Sequence, residues 1–350
     1  MTRLLVLTVV CGSLAAQQEQ PPPTIIRVPV ENVVAPVVVL DREGQFVSGL
    51  TPDQFRLFDN GKEQNIHVDV TYIPISLVIA IQANSRVDKM LPAVNKIGNL
   101  MKPIILGDQG EAAVIAFDAR VRTLQDFTSD PDKITQAVKT IYAGSTSSRL
   151  VDAVDSATRM LSSRSKDRRR ILLVIGETRD YGSVGRGRET LIDLQMANVV
   201  AYWVDMSHLL GTLTAPTPNP RPDNLPPAMH PLPPNVPATP TTVQQTYGTG
   251  AGRAEFIPLM VEIFKDAKNI FKTSPADLFT RGTGGTEFSF YRQRGLEEAI
   301  QQVGEELHSQ YLISYSPNNK GEGGFHQIAV DVPGHDYKIQ TRPGYWLATK

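Results

Sequence analysis

Two short runs limit what this chain can fold into more than any other feature. Residues 75–81 and 171–175 are apolar at nearly every position. A strand with one wet face alternates apolar and polar residues. A continuous apolar run instead suits a parallel strand covered on both faces. Around these runs the pattern alternates. Leu91, Val94, Ile97, Leu100 and Met101 follow the first at helical spacing. Strands are expected over 112–117 and 121–127, then helices near 130–141 and 149–161. After the second run come a helix near 189–196, a strand over 199–204 and a helix around 255–272. A Gly284-Gly285 turn, a strand over 287–290 and a helix over 296–307 complete the series. This order predicts an α/β fold with a doubly wound, mostly parallel sheet.

The flanks read differently. Val37 to Leu40 is apolar, Asp41-Arg42-Glu43-Gly44 suits a turn, and Thr51-Pro52-Asp53 suits a capped helical turn. Asp59-Asn60-Gly61-Lys62 is a hairpin signal between strands at 56–58 and 63–66. Beyond residue 310 the pattern returns to β, over 311–315, 326–332 and 337–341. Neither flank has enough strands to be stable alone, so the two are expected to form one small β-sandwich.

Met1-Thr2-Arg3, the apolar stretch to Val10 and the small residues up to Ala15-Ala16 fit a secretory signal peptide. The single cysteine, Cys11, lies inside it, so the remaining chain has no thiol for disulfides or metal binding. A formal charge of −1, with acids and bases interspersed, offers no general attraction to nucleic acid or anionic lipid. Eleven of the 26 prolines fall within 216–240, a stretch with too little periodicity to bury and therefore expected as a solvated insertion. The expected layout is a signal peptide over 1–16, a tether over 17–23 and an N-terminal β flank over 24–73. An α/β domain over 74–308 carries the insertion at 212–245, and a C-terminal β flank covers 309–350.

Several stretches together carry a family resemblance. They are residues 35–50, Gln54-Phe55-Arg56-Leu57-Phe58-Asp59-Asn60-Gly61-Lys62, the strand ending Val78-Ile79-Ala80-Ile81 and the Thr283-Gly284-Gly285 turn. Gln310-Tyr311-Leu312-Ile313-Ser314-Tyr315-Ser316-Pro317 and Arg342-Pro343-Gly344-Tyr345 complete the set. Residues 75–307 resemble a von Willebrand factor A domain, and the flanks resemble bacterial secreted proteins related to it. The resemblance implies a Rossmann-like sheet inserted between the two β flanks.

It also implies a divalent-cation site at the carboxyl ends of the parallel strands, where open α/β sheets bind ligands. The family's first loop reads Asp-x-Ser-x-Ser, with a Thr from a second loop and an Asp from a third. Here the matching positions hold Gln82, Asn84 and Arg86, then Ser148, then Glu177. Hard cations need oxygen donors, and a guanidinium cannot be a ligand. A unit charge ~4 Å away is worth about 4 kcal/mol at an effective dielectric near 20. Losing a carboxylate and gaining Arg86 therefore disfavours a dication strongly, and no metal is assigned, with Mg2+ the weaker alternative. Two arrangements are open for Arg86: pointing to solvent, or pairing with Glu177 in place of a cation. Asp180 and Asp205 are near enough in sequence to add oxygens, but such residues more often cap helices or face water.

Catalytic signatures are missing. His67, His208, His230, His308, His326 and His335 form no ligand-spaced pair. Gly182-Ser183-Val184-Gly185 lacks the context of a nucleophile elbow, and there is no phosphate loop. Arg164, Lys166 and Arg168 to Arg170 read as a solvated helix end. The expectation is an exported, non-catalytic module that binds an unidentified protein through the loops at the carboxyl edge of the sheet. The alternative is an envelope enzyme or accessory subunit with chemistry in the loops or insertion.

Overall fold

The computed structural model describes residues 32–69, 73–208, 210, 274–290 and 294–347. The segments expected as signal peptide (1–16), tether (17–23) and insertion (212–245), and the helix expected around 255–272, lie outside the described residues.

Among the described residues the central sheet has six strands. These are β5 (Ile75–Gln82), β6 (Glu111–Phe117), β7 (Val121–Thr128), β8 (Arg169–Gly176), β9 (Val199–Asp205) and β10 (Glu287–Ser289). Their order is β10-β9-β8-β5-β6-β7, parallel throughout except for antiparallel β7 at one edge. The apolar run of β5 divides between two cores, as a doubly covered strand must. Leu77, Ile79 and Ile81 face one core, and Val78 and Ala80 face the other. On the first face pack the short helices α1 (Leu91–Val94) and α2 (Gly98–Met101), then α3 (Pro131–Lys139) and α7 (Arg294–Ser309). On the second pack α4 (Leu150–Ser162), α5 (Gly187–Met196) and α6 (Pro275–Thr283). The fold is the doubly wound α/β sheet that the element order implied. From β5 the chain steps outward to β6 on one side, then returns to β8 on the other. The crevice at the carboxyl ends of β5 and β8 is therefore the topological switch point.

The remaining strands form two antiparallel sheets of four. One has the order β13-β1-β11-β4, from β1 (Val33–Leu40), β4 (Ile66–Asp69), β11 (Tyr311–Tyr315) and β13 (Lys338–Thr341). The other has the order β14-β12-β2-β3, from β2 (Arg56–Asp59), β3 (Lys62–Glu63), β12 (Gly324–Asp331) and β14 (Gly344–Leu347). Both flanks contribute to each sheet, and Val37, Leu57, Ile313, Ile328 and Tyr345 share one core. The two flanks thus make a single sandwich.

Several local expectations are corrected. The helix implied by Leu91 to Met101 is broken into α1 and α2, with a 3-10 stretch before and a π-helical turn after them. Pro92 and Pro103 each remove a backbone donor, and Gly98 sits 2.8 Å (as an ideal Cβ) from the Thr135 backbone, so close packing was favoured over continuity. The strand expected over 63–66 is two strands. At Gln64 the chain leaves β3 and re-enters as β4 in the opposite sheet, held by Gln64 Nε2 donating to Asn318 Oδ1 at 2.7 Å. β14, which follows Arg342-Pro343, was not anticipated.

The basic stretch after α4 is not a solvated helix end. Arg164 makes a two-pronged pair with Glu111 at 2.7 and 2.8 Å. Arg168 donates to Ile75 O and Gln109 O, each at 2.9 Å. Arg169 donates to Leu307 O at 2.7 Å, and Arg170 to Ala197 O at 2.8 Å. The Arg164 guanidinium meets a carboxylate, and those of Arg168, Arg169 and Arg170 meet backbone carbonyls, at the amino edge of the sheet. These contacts tie the helix ends and loops together at the amino edge.

Candidate functional site

Four loops meet at the carboxyl edge beside the switch point. Ala83 to Arg86 leave β5, Asp118 to Arg120 join β6 to β7, residues 140–149 precede α4, and residues 177–186 follow β8. Their backbones bind one another. Ala83 N donates to Phe117 O at 2.8 Å, Gly144 N to Ala83 O at 2.7 Å, and Ser85 N to Ser145 O at 2.9 Å. Tyr181 N donates to Ser148 O at 2.9 Å.

Gln82 ends β5 fully buried. Its Oε1 accepts from Glu177 N at 2.6 Å, and its Nε2 donates to Glu177 Oε2 at 3.0 Å and Asn84 Oδ1 at 3.1 Å. Asn84 Nδ2 donates to Thr146 O at 3.3 Å, which draws the second loop against the first. Arg86 lies across Glu177, with Nη2 to Oε1 at 2.9 Å and Nε to Oε2 at 3.0 Å. Of the two arrangements open to Arg86, the structure adopts the pair with Glu177. The pair is lopsided, for the arginine side chain is 52% exposed and the glutamate 6%. Hydrogen bonding to Glu177, then its charge, raises the Arg86 guanidinium above its ordinary value. The Tyr181 ring lies beneath, 5.1 Å from the guanidinium carbon.

Four of the five expected positions are therefore joined by hydrogen bonds. Ser148 stands apart. It is buried, and its Oγ has no hydrogen-bond partner. Asp180 adds no oxygen to this group but caps α4. Its Oδ1 accepts from Leu150 N at 2.8 Å and from Ser183 Oγ at 2.6 Å. Asp205 accepts from Ser207 N at 2.8 Å. Tyr181 was missed in the sequence, where nothing marks a lone aromatic as a partner for an arginine three loops earlier in the chain.

The donor set fits a divalent cation poorly. Both Glu177 oxygens already accept from a guanidinium, the Gln82 and Asn84 carbonyls accept from amides, and only Ser148 Oγ is unengaged. Among the described residues no group of three or more His, Cys, Asp or Glu could hold a metal.

Comparison with known protein families gives one match. Residues 79–178, which span all five positions, match the family model described as von Willebrand factor type A domain. No curated relative matches the chain. One similar solved structure is an aerotolerance-related membrane protein from Bacteroides fragilis, at 14% identity over 37% of this chain and 67% of that one, TM-score 0.32. Another is the conserved hypothetical protein BatB from Bacteroides thetaiotaomicron, at 15% identity over 37% and 66%, TM-score 0.30. A third is the von Willebrand factor domain of the type V pili tip protein Mfa5 from Porphyromonas gingivalis, at 15% identity over 30% and 38%, TM-score 0.27. The family match, with the sheet and helices described above, carries the assignment. The chain thus carries a von Willebrand factor type A domain, matched over residues 79–178.

Proposed function

We propose that this is an exported, non-catalytic module that binds a protein partner through the loops at the carboxyl edge of its sheet, without a divalent cation. The observation that carries the reading is the Arg86–Glu177 pair, in which a fixed guanidinium occupies the carboxylate that would otherwise face a cation. The non-catalytic part rests on how the edge uses its acids. Glu177 is engaged by Arg86, Asp180 by the start of α4, and Asp118 by Arg120 N and Ser145 N. A general base needs a carboxylate or imidazole open to a substrate proton, and these carboxylates are already engaged as acceptors. Export rests on the basic, apolar and small-residue segments at the amino end. No described helix is long and apolar enough to cross a membrane.

The test is affinity capture from envelope extracts with the immobilised protein, in the presence and absence of chelator. A partner retained equally in both supports the reading, provided Val184→Arg, placed on the exposed rim, removes it. Capture abolished by chelator, or indifferent to the rim change, contradicts it.

A further inference from the structure

The carboxyl edge carries the same arrangement twice. In the first, Glu177 backs Arg86, which lies 5.1 Å over the Tyr181 ring. In the second, Asp118 stands 4.0 Å behind Arg122, whose guanidinium lies 5.1 Å over the Tyr142 ring. The two stacks are physically joined. Ser145 donates its backbone N–H to Asp118 Oδ2 at 3.2 Å and accepts Ser85 N at 2.9 Å, one residue before Arg86.

In both stacks the acid points inward and the base outward. The side chains of Glu177 and Asp118 are 6% and 13% exposed, against 52% and 29% for Arg86 and Arg122. Asp118 already accepts Arg120 N and Ser145 N, so it offers Arg122 only a long contact. Arg122 Nε is buried, but the side chain's Nη2 lies 4.0 Å from Asp118, too far for a hydrogen bond, and no described residue accepts from either Nη group. On Arg86 the Nε and Nη2 atoms serve Glu177, and no described residue accepts from Nη1. Each guanidinium thus retains donor capacity. Arg120 and Arg179 stand exposed on the same loops. Two of the four large apolar side chains exposed among the described residues, Tyr142 and Val184, lie here too.

Stacked arginines and exposed tyrosines are the residue types that concentrate binding energy at interfaces, and a planar guanidinium favours carboxylate geometry. We propose that the two arginine–tyrosine stacks form one docking surface for an acidic segment of a protein partner, with one carboxylate received at Arg86 and another at Arg122. Tyr142 and Val184 pack against apolar side chains between and beside those carboxylates. The proposal rests on the reading of this edge as the interaction face and adds the chemistry of the partner.

The probe is a fluorophore-labelled oligoglutamate peptide, titrated against the full chain by anisotropy, with an oligolysine peptide as control. Arg86→Gln and Arg122→Gln are each expected to weaken oligoglutamate binding about tenfold, and the pair more than either alone. Arg159→Gln, on the exposed face of α4, should leave it unchanged. Arg86→Lys keeps the charge with less change to the fold, and should weaken binding less than Arg86→Gln. Amide shifts on titration should cluster at residues 83–86, 118–122, 140–148 and 177–185. Binding equal to the parent chain's by Arg86→Gln, Arg122→Gln and the double variant, or shifts centred elsewhere, would overturn the acidic-partner assignment. If Val184→Arg still abolishes capture of the native partner in that case, the face stands and only the partner chemistry falls. If neither responds, the face is wrong as well.

Discussion

Arg86 and Glu177 form a two-pronged ion pair across the switch point, joining the loop after β5 to the loop after β8 at 2.9 and 3.0 Å. The two partners contribute unequally, because one is half exposed and the other nearly buried. Removing the exposed partner strands a buried charge, whereas neutralising the buried one leaves a cation that water can solvate. Arg86→Ala should therefore cost about 1–3 kcal/mol and Glu177→Gln less. Urea unfolding of both variants checks this. Equal costs, or the reverse order, would mean that the pair is a loose surface contact.

The sandwich is organised around one buried carboxylate. Asp59 accepts from Tyr315 OH at 2.9 Å, Tyr345 OH at 2.8 Å and Asn319 Nδ2 at 3.1 Å, and pairs with His326 Nδ1 at 2.7 Å. Burial drives the neighbouring Arg342 guanidinium down to about 10. Asp59 comes from the N-terminal flank, and all of these partners come from the C-terminal one. Asp59→Asn should cost about 3–5 kcal/mol, and Tyr345→Phe about 1–2 kcal/mol. Hydrogen exchange should quicken in β2 and β14 together after either change. Quickening confined to one flank would show that the cluster does not couple them.

Gly285 packs where no side chain fits. A Cβ there would lie 2.2 Å from the Ala201 carbonyl oxygen in β9. Its neighbour Gly284 closes α6 in the left-handed region at φ 83° and abuts Pro36 and Arg342 of the sandwich. Gly285→Ala should lower stability by about 2–4 kcal/mol, since backbone must move to admit it. A thermal midpoint within a degree of the parent would contradict that packing.

How much of this was legible in sequence depends on the range of the interaction. The doubly covered strands β5 and β8 declared themselves, because burial on both faces leaves an uninterrupted apolar run. The Asp59-Asn60-Gly61-Lys62 hairpin was plain, since turn chemistry is local. The Asp59 cluster was not, because its donors lie more than 250 residues away and each reads alone as an ordinary polar residue. The five edge positions were found only through a family resemblance. Whether Arg86 met Glu177 or solvent was undecidable from spacing, as was the stack on Tyr181. The arginines at the start of β8 and just before it misled for the same reason. A basic run looks solvated until the carbonyls it meets, at Ile75, Leu307 and Ala197, are placed by the fold.

Glu287 supplies a pH dependence. Burial, with Asp205 and Asp277 nearby, pushes its carboxyl up to about 7. The folded protein then holds that proton where the unfolded chain has released it. This contribution to stability is fully present below about pH 4.5 and is lost as pH rises through about 7. Glu287→Gln should therefore stabilise the protein at pH 8, by on the order of 1–2 kcal/mol after allowance for partial exposure, and change little at pH 4. A gain at pH 4 that vanishes at pH 8 would reverse the sign and refute the assignment.

The proposed stand-in of the Arg86 guanidinium for a cation at the switch point is open to direct measurement. Isothermal calorimetry of the unmodified chain with Mg2+, Mn2+ or Ca2+ up to millimolar concentration tests it most directly. No saturable heat is expected, with the Arg86–Glu177 pair intact throughout. Stoichiometric binding with a dissociation constant below about 1 mM, equivalent to roughly 4 kcal/mol, and lost in Glu177→Gln, would contradict it.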